Sequence, residues 1–317
     1  MSIPVRTLCV GEALIGAVDR AGKTTEVVGG SLLNVAAGLA ALGHDSTIAS
    51  WWGADSRGHT LDQFCRDHRV YVVDQTSSAT HTTVAHAMID EDGHATYEFD
   101  LEWDLPEMPA PGAFGHLHTG SYAAVVEPGA DKLLDYARAA TRVGTVSYDP
   151  NVRPAIMTSR DEVAPRVKEL IGLADIVKAS DEDIAWLHPD MDVEDVMRLW
   201  IAAGVGMVVA TCGPKSALVA LAGERDILSV RPLDVPVSDT VGAGDSFMAG
   251  LLSGLLDANL AGSVKAKARL RKATWDTVLP AVHRATLTSG LTVSHHGAYA
   301  PSRNEIGVEA KRSPLFA

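Results

Sequence analysis

The sequence predicts an α/β fold: a mostly parallel β-sheet with helices on both faces, and a small second sheet standing off the main body. Three observations lead there. Short apolar runs alternate with longer segments of helical periodicity along most of the 317 residues. Strand–helix alternation of this kind favours parallel pairing, because each helix returns the chain across the sheet. Two stretches break the alternation and read as β-hairpins.

In chain order, "TLCVGE" reads as the first strand, and "ALIGAVDRAGKTTEVVGG" as a hairpin turning at Ala21-Gly22. "SLLNVAAGLAALG" has apolar residues at helical spacing and stops at Gly43, a residue suited to the position after a helix. "STIASWWG" is strand-like and "SRGHTLDQFCRDHR" an amphipathic helix, while "HTTVAHAMIDEDGHATYEFDLEW" is the second hairpin, turning at Asp92-Gly93. "GHLHTG", "GTVSYDPN", "ADIVKAS" and "VGMVVATCG" are further short strands ending in polar or glycine-containing turns. "LDVPVSDT" is extended. "AGDSFMAGLLSGLLDA" is a helix with Phe247, Leu251, Leu252 and Leu255 on its buried side. The tail from Pro301 reads as surface structure or loosely ordered chain. No Pro/Gly/Ser-rich linker divides the sequence, so one domain over 1–317 is expected, with lid hairpins at approximately 13–30 and 82–104 inserted in it.

Hydrophobic residues make up 46% and charged residues 21%, enough apolar chain for a sizeable core and too much for disorder. The net charge of −13 argues against broad contact with nucleic acid or an anionic membrane. An anionic ligand must then be held by local devices, such as helix N-termini or single Lys and Arg side chains. Cys9, Cys65 and Cys212 are far apart and form no CxxC pair, which suits a reducing cytoplasm rather than a disulfide framework or a zinc ribbon. The N-terminal residues lack the apolar run of a signal peptide, and no stretch is long and apolar enough to predict a membrane span. There is no GxGxxG after the first strand and no GxSxG elbow, which argues against an NAD-dependent oxidoreductase and a serine hydrolase. The histidines of "HTTVAH", "GHLHTG" and "SHHG" form no HExxH and read as turn or surface residues.

The chemistry concentrates in "DTVGAGDSFMAG", residues 239–250. Gly242-Ala243-Gly244 has side chains small enough for backbone N–H groups to approach a ligand, and the helix that follows adds free donors and a positive dipole end. Together they make an anion site. Asp245 in the first turn is either a helix cap or a base that takes a proton from an attacking hydroxyl. Asp239 is either a turn residue or part of a cation-holding loop.

This segment resembles the DTxGAGD signature of the PfkB/ribokinase family of carbohydrate kinases. The resemblance implies a ribokinase-like three-layer α/β/α core with a β-sheet lid. It implies an ATP-dependent kinase with Asp245 as catalytic base and Gly242, Ala243 and Gly244 as the hole for the transferring phosphoryl group. "VGGSLLNVAAGLAALG" is similar to the family's first signature, which implies sugar contacts at Gly29, Gly30 and Asn34. "VSYDPNVRP" resembles the DPNxR stretch of fructokinases in that family, and implies Arg153 near the phosphates or the sugar, with Asp149 and Asn151 shaping the floor. "VKASDEDIAWL" resembles their VKxSxEE segment. The family's NxxE motif falls there on Ser180 to Asp183, which implies Mg²⁺ held through water by Asp183, and Lys178 is either at a nucleotide phosphate or a salt-bridged surface lysine. "VVATCGPKSALVA" is similar to the TxGxxG nucleotide segment, with Thr211 and Gly213 matching and Ser216 in place of the second glycine. The resemblance near the C-terminus places a monovalent-cation site, potassium for choice, at Asp239, Val241, Ser294 and Gly297. One departure is Gly16, where a GExLxD pattern has Asp. "ATYEFDLEWDL" resembles the lid segments of bacterial fructokinases, with Tyr97, Phe99 and Trp103 as either cover over a sugar or packing residues. Fructose is accordingly the expected substrate, with ribose, 2-keto-3-deoxygluconate or a nucleoside as alternatives, and a non-catalytic sugar- or nucleotide-binding protein on the same fold as the other reading. Pairing of two copies through the lid is also expected.

Overall fold

The computed structural model describes residues 5–20, 23–89, 95–157 and 159–313. The elements in chain order are β1 (Arg6–Val10), β2 (Leu14–Arg20), β3 (Lys23–Gly29), α1 (Ser31–Ala41), β4 (Asp45–Ala49), α2 (Ser56–Asp67), β5 (Tyr71–Val72), β6 (Val84–Ile89) and β7 (Ala95–Asp100). They continue with β8 (His116–Gly120), α3 (Gly129–Ala140), β9 (Thr145–Asp149), α4 (Arg160–Leu173), β10 (Ile176–Ser180), α5 (Asp181–Leu187), α6 (Val193–Ala202) and β11 (Met207–Thr211). Last come β12 (Ala217–Leu221), β13 (Leu228–Val230), α7 (Ala243–Asp257), α8 (Val264–Leu270), α9 (Trp275–Val293) and α10 (Arg303–Arg312).

A nine-stranded sheet runs in the order β13-β12-β11-β10-β9-β8-β1-β4-β5. Strands β5 through β11 in that order pair in parallel, while β12 and β13 are antiparallel additions at one edge. Alternate residues of each strand face opposite layers, as the period of two requires. Leu8, Val10, Val146, Tyr148, Val208 and Ala210 join the apolar cluster that includes α3, α4, α5 and α6 side chains. Cys9, Ile48, Ile176, Met207 and Val209 join the cluster of α1, α2, α7 and α9. The fold is therefore the ribokinase-like α/β/α sandwich expected from the sequence.

Both hairpins form, and together they make a separate four-stranded sheet, order β3-β2-β6-β7. The pair β2–β6 joining them is parallel. The turns at Ala21-Gly22 and Asp92-Gly93 lie outside the described residues, as does the Tyr97 side chain.

Three local readings change. Helix α7 buries every residue from Asp245 to Leu256, not one face, because it lies between α1 and α9. Gly250 and Gly254 permit the α9 approach: a Cβ at Gly254 would stand 2.4 Å from Ala281 Cα. The segment from Pro301 is not loose, since α10 is capped by the Ser302–Glu305 box and buries Ile306 against Leu42 and Leu287. His116 and His118 are buried in β8 rather than on the surface. On the α7 side of the sheet, "HxH" in β8 and "TxSxD" in β9 place polar residues where neighbouring strands place apolar ones. The two imidazoles are held there by Thr145 and Ser147: His116 Nδ1 lies 2.8 Å from Thr145 Oγ1, and His118 Nδ1 lies 2.9 Å from Ser147 Oγ. Burial pushes both imidazoles down to about 3, so they are neutral at physiological pH. The seam continues with Asp149 and, in β10, Lys178, and leads to the site.

Candidate active site

The chain leaves β1 and switches to opposite sides of it, with β4 on one flank and β8 on the other. Open α/β sheets bind ligands at the carboxyl ends of strands beside such a switch. Glu12 follows β1, Ser121 follows β8, Asn151 follows β9, and all three lie at those ends.

Gly29 ends β3 and Gly30 precedes α1 with φ at +114°, in the region that favours glycine. A Cβ on Gly30 would stand 2.5 Å from the Glu12 carbonyl oxygen, so this close approach of two backbones needs glycine. It brings the first turn of α1 to the first turn of α7. Ser31 Oγ donates to Asp245 Oδ1 at 2.6 Å, and Asn34 Nδ2 donates to Asp245 Oδ2 at 2.8 Å. The sequence separation is over two hundred residues, yet the structure joins Gly30, Asn34 and Asp245 as the two motifs implied. Asp245 is 8% exposed, and both of its oxygens already accept one hydrogen bond.

Gly242 caps α7 with φ at +74° and packs on Ala298, and no side chain caps this helix. Ala243 N–H donates to the Thr240 carbonyl, so part of the expected hole is already engaged. The remaining first-turn amides are those a helix start leaves for an anion.

Lys178 is not a free cation. It is 4% exposed, and its Nζ lies 2.7 Å from Asp149 Oδ2 and 3.5 Å from the Gly244 carbonyl. Burial works against its charge, but Asp149, with Asp183 and Asp245 behind it, more than offsets this and holds the ammonium above its ordinary value. Burial raises the Asp149 carboxyl to about 6 despite Lys178. Asp183 is held by backbone donors: Val152 N–H to Oδ1 at 2.7 Å and Ser180 N–H to Oδ2 at 2.8 Å. It forms a capping box with Ser180 at the start of α5. Arg153 is exposed, beyond Asn151. Thr211 ends β11, and Gly213 lies in a turn closed by the Cys212 N–H to Ser216 carbonyl bond at 2.8 Å.

Asp239, Val241, Ser294 and Gly297 do come together. Asp239 accepts from Val241 N–H at 3.0 Å and Gly297 N–H at 2.9 Å, and Ser238 Oγ donates to the Ser294 carbonyl at 3.1 Å. Those two amides hold the Asp239 carboxyl below its ordinary range. Among the lid aromatics, Trp103 is a packing residue: it is 3% exposed and its Nε1 donates to the Ala123 carbonyl at 3.0 Å. Phe99 is half-buried in β7.

Two site residues escaped the sequence reading. Glu12 is 3% exposed, and its Oε1 accepts the Ser31 N–H at 3.2 Å. Burial, reinforced by Asp245, raises its carboxyl to about 7, against the opposing pull of Ser121 and Arg153. Ser31 itself is the other. The signal for Glu12 was an acid directly after an apolar strand; Ser31 carried none beyond its place after Gly-Gly.

Among the described residues no helix is long and apolar enough to cross a membrane, and no group of three or more His, Cys, Asp or Glu is placed to hold a metal ion. Comparison with known proteins agrees with this geometry. The fructokinase of Klebsiella pneumoniae is 31% identical over 259 residues, covering 78% of this chain and 83% of that one. A crystal structure of the fructokinase from Vibrio cholerae O395 in fructose, ADP and calcium ion bound form superimposes with a TM-score of 0.78 at 26% identity, covering 96% of this chain and 98% of that one. A double mutant of the same enzyme, in fructose, ADP and potassium ion bound form, gives 0.78 at 25%, covering 96% and 97%. The family model described as "pfkB family carbohydrate kinase" matches residues 6–305. With Asp245, the uncapped α7 turn and the Gly-Gly entry to α1 all in one place, the chain belongs to the pfkB family and is an ATP-dependent carbohydrate kinase.

Proposed function

We propose that this kinase phosphorylates fructose on its primary 6-hydroxyl, with Asp245 as general base. The observation that carries the reading is the Asp245 carboxylate, held by Ser31 and Asn34 in the first turn of an uncapped helix. The choice of fructose is supported by the similarity to enzymes named fructokinase. In the reaction, the sugar O–H bond breaks and its proton passes to Asp245. The alcohol oxygen bonds to the γ-phosphorus, the bond from that phosphorus to the β–γ bridging oxygen breaks, and ADP leaves. The amides of Gly242, Ala243 and Gly244 receive the negative charge of the transferring group. Gly29, Gly30, Asn34 and Arg153 contact the sugar, while Thr211 and Gly213 line the nucleotide. Lys178 serves the nucleotide from beneath the Gly244 carbonyl rather than by reaching a phosphate. The small sheet acts as a lid that excludes water and limits ATP hydrolysis.

The carboxylates present suit Mg²⁺, which usually keeps several waters and binds through one or two carboxylates plus substrate phosphates. Asp183 would hold it through water, and Asp149 Oδ1, buried without a hydrogen-bond partner, is a second acidic oxygen nearby. Bound there, the ion supplies positive charge to the phosphate oxygens. The Asp239–Gly297 loop, with Val241 and Ser294, is the proposed seat of a monovalent cation. Two copies are proposed to pair through the small sheet, where Val27 is exposed. Three unpaired cysteines suit a cytoplasmic setting.

A coupled ADP-release assay over a sugar panel tests the proposal. Fructose is expected to give the highest kcat/KM among fructose, ribose, 2-keto-3-deoxygluconate and a nucleoside. A faster alternative would reassign the acceptor, and the loss of the Asp at Gly16 would then be the first place to look. ADP release with none of them would reject the substrate class.

A further inference from the structure

Asp245 has two chemically distinct oxygens in this protein. Oδ1 faces Ser31, which is 6% exposed. Oδ2 faces Asn34, which is only half-buried. Ser31 is fixed from three sides, two of them at its hydroxyl. Its oxygen accepts Asn151 Nδ2 at 3.0 Å, which commits its own proton to Oδ1 at 2.6 Å. Its backbone N–H donates to Glu12 Oε1 at 3.2 Å. Ser31 is the first residue of α1, and its side chain makes no capping bond, so the hydroxyl is not spent on the helix. Asn151 is itself held with φ at +39°, in the left-handed region, after the end of β9. Residues after β1 and β9 and the starts of α1 and α7 therefore meet at Ser31.

We propose that Ser31 is a positioning residue: it pins Oδ1 of Asp245, so that Oδ2 is the oxygen that takes the sugar proton. This rests on Asp245 being the general base. Asn34 can leave Oδ2 for a sugar oxygen, because its amide is at the accessible side and offers both a donor and an acceptor. Ser31 cannot, being enclosed by Glu12, Asn151 and Asp245.

The test is Ser31→Ala in the full chain, with kcat and KM for the best sugar found. Loss of one charge-assisted bond is expected to lower kcat about tenfold. KM for the sugar is expected to stay within about twofold, because the proton-accepting oxygen is disoriented while the sugar contacts remain. Asn151→Ala removes the donor that directs the Ser31 proton, and is expected to lower kcat by less, again with KM kept. A kcat equal to the parent's in both variants, with only the melting temperature changed, would mean that Ser31 merely packs, and the proposal would be overturned. Asp245→Asn run alongside separates the two ideas: a dead Asp245→Asn with a parent-like Ser31→Ala overturns this inference alone, whereas an active Asp245→Asn removes the base reading beneath it.

Discussion

Asp245→Asn is expected to lower kcat by at least the 10²–10⁴-fold that general-base removal usually costs, while ATP affinity stays within a few-fold of the parent. The substitution keeps the shape of the side chain and its place in the first turn of α7. It removes the acceptor for the sugar proton. Ser31 still finds an oxygen at Oδ1, but Asn34 then meets an amide nitrogen unless one amide turns over. A modest loss of melting temperature is therefore expected with the loss of turnover. Coupled ADP-release kinetics and nucleotide titration separate the two effects. Near-normal turnover would show that another group accepts the proton.

Lys178→Met is expected to cost about 3–5 kcal/mol of folding stability at neutral pH, the range for removing one partner of a buried ion pair. Lys178 and Asp149 are 4% and 1% exposed, and the variant would leave the Asp149 carboxylate buried without its counter-charge. The pH dependence has a definite sign. The Asp149 carboxyl is already raised by burial from 3.8 to about 6, and without Lys178 it rises further. A carboxyl with a raised folded-state pKa contributes stability that is full below its unfolded value and lost as pH rises through the folded value. The deficit of Lys178→Met is thus largest at and above neutral pH and shrinks on acidification. Urea unfolding across that range checks it. Adding Asp149→Asn should recover most of the deficit, and a double variant no more stable than the single would show that packing, not charge, was lost.

Legibility in the sequence followed distance along the chain. The strands and helices of the main sheet were readable because alternation of two and 3.6 is a local property. The hairpins were readable from Gly-containing turns, although the parallel β2–β6 pair that joins them is a long-range choice that no turn announces. Burial of α7 on all sides was not readable, since α9, which covers its second face, comes later in the chain. His116 and His118 were misread for a similar reason. Their partners Thr145 and Ser147 lie one strand away, and only register brings them together.

The site divides the same way. Asp245 and Asn34 stood out because each sits in a compact motif. Ser31 and Glu12 did not, because their significance lies in whom they touch. Lys178 was open between a nucleotide phosphate and a salt bridge, and its ion pair with Asp149 on the neighbouring strand shows only in the fold. Trp103 was open between cover over a sugar and packing, and its indole N–H, donated to the Ala123 carbonyl inside the core, decides for packing.

The most direct measurement is a crystal structure with fructose and a non-hydrolysable ATP analogue bound together. The expected result is the 6-hydroxyl within hydrogen-bond distance of Asp245 Oδ2, Ser31 still on Oδ1, and the γ-phosphate against the amides of Gly242 to Gly244. A complex with both ligands in place but no sugar hydroxyl near Asp245, or with the γ-phosphate away from the start of α7, would contradict it.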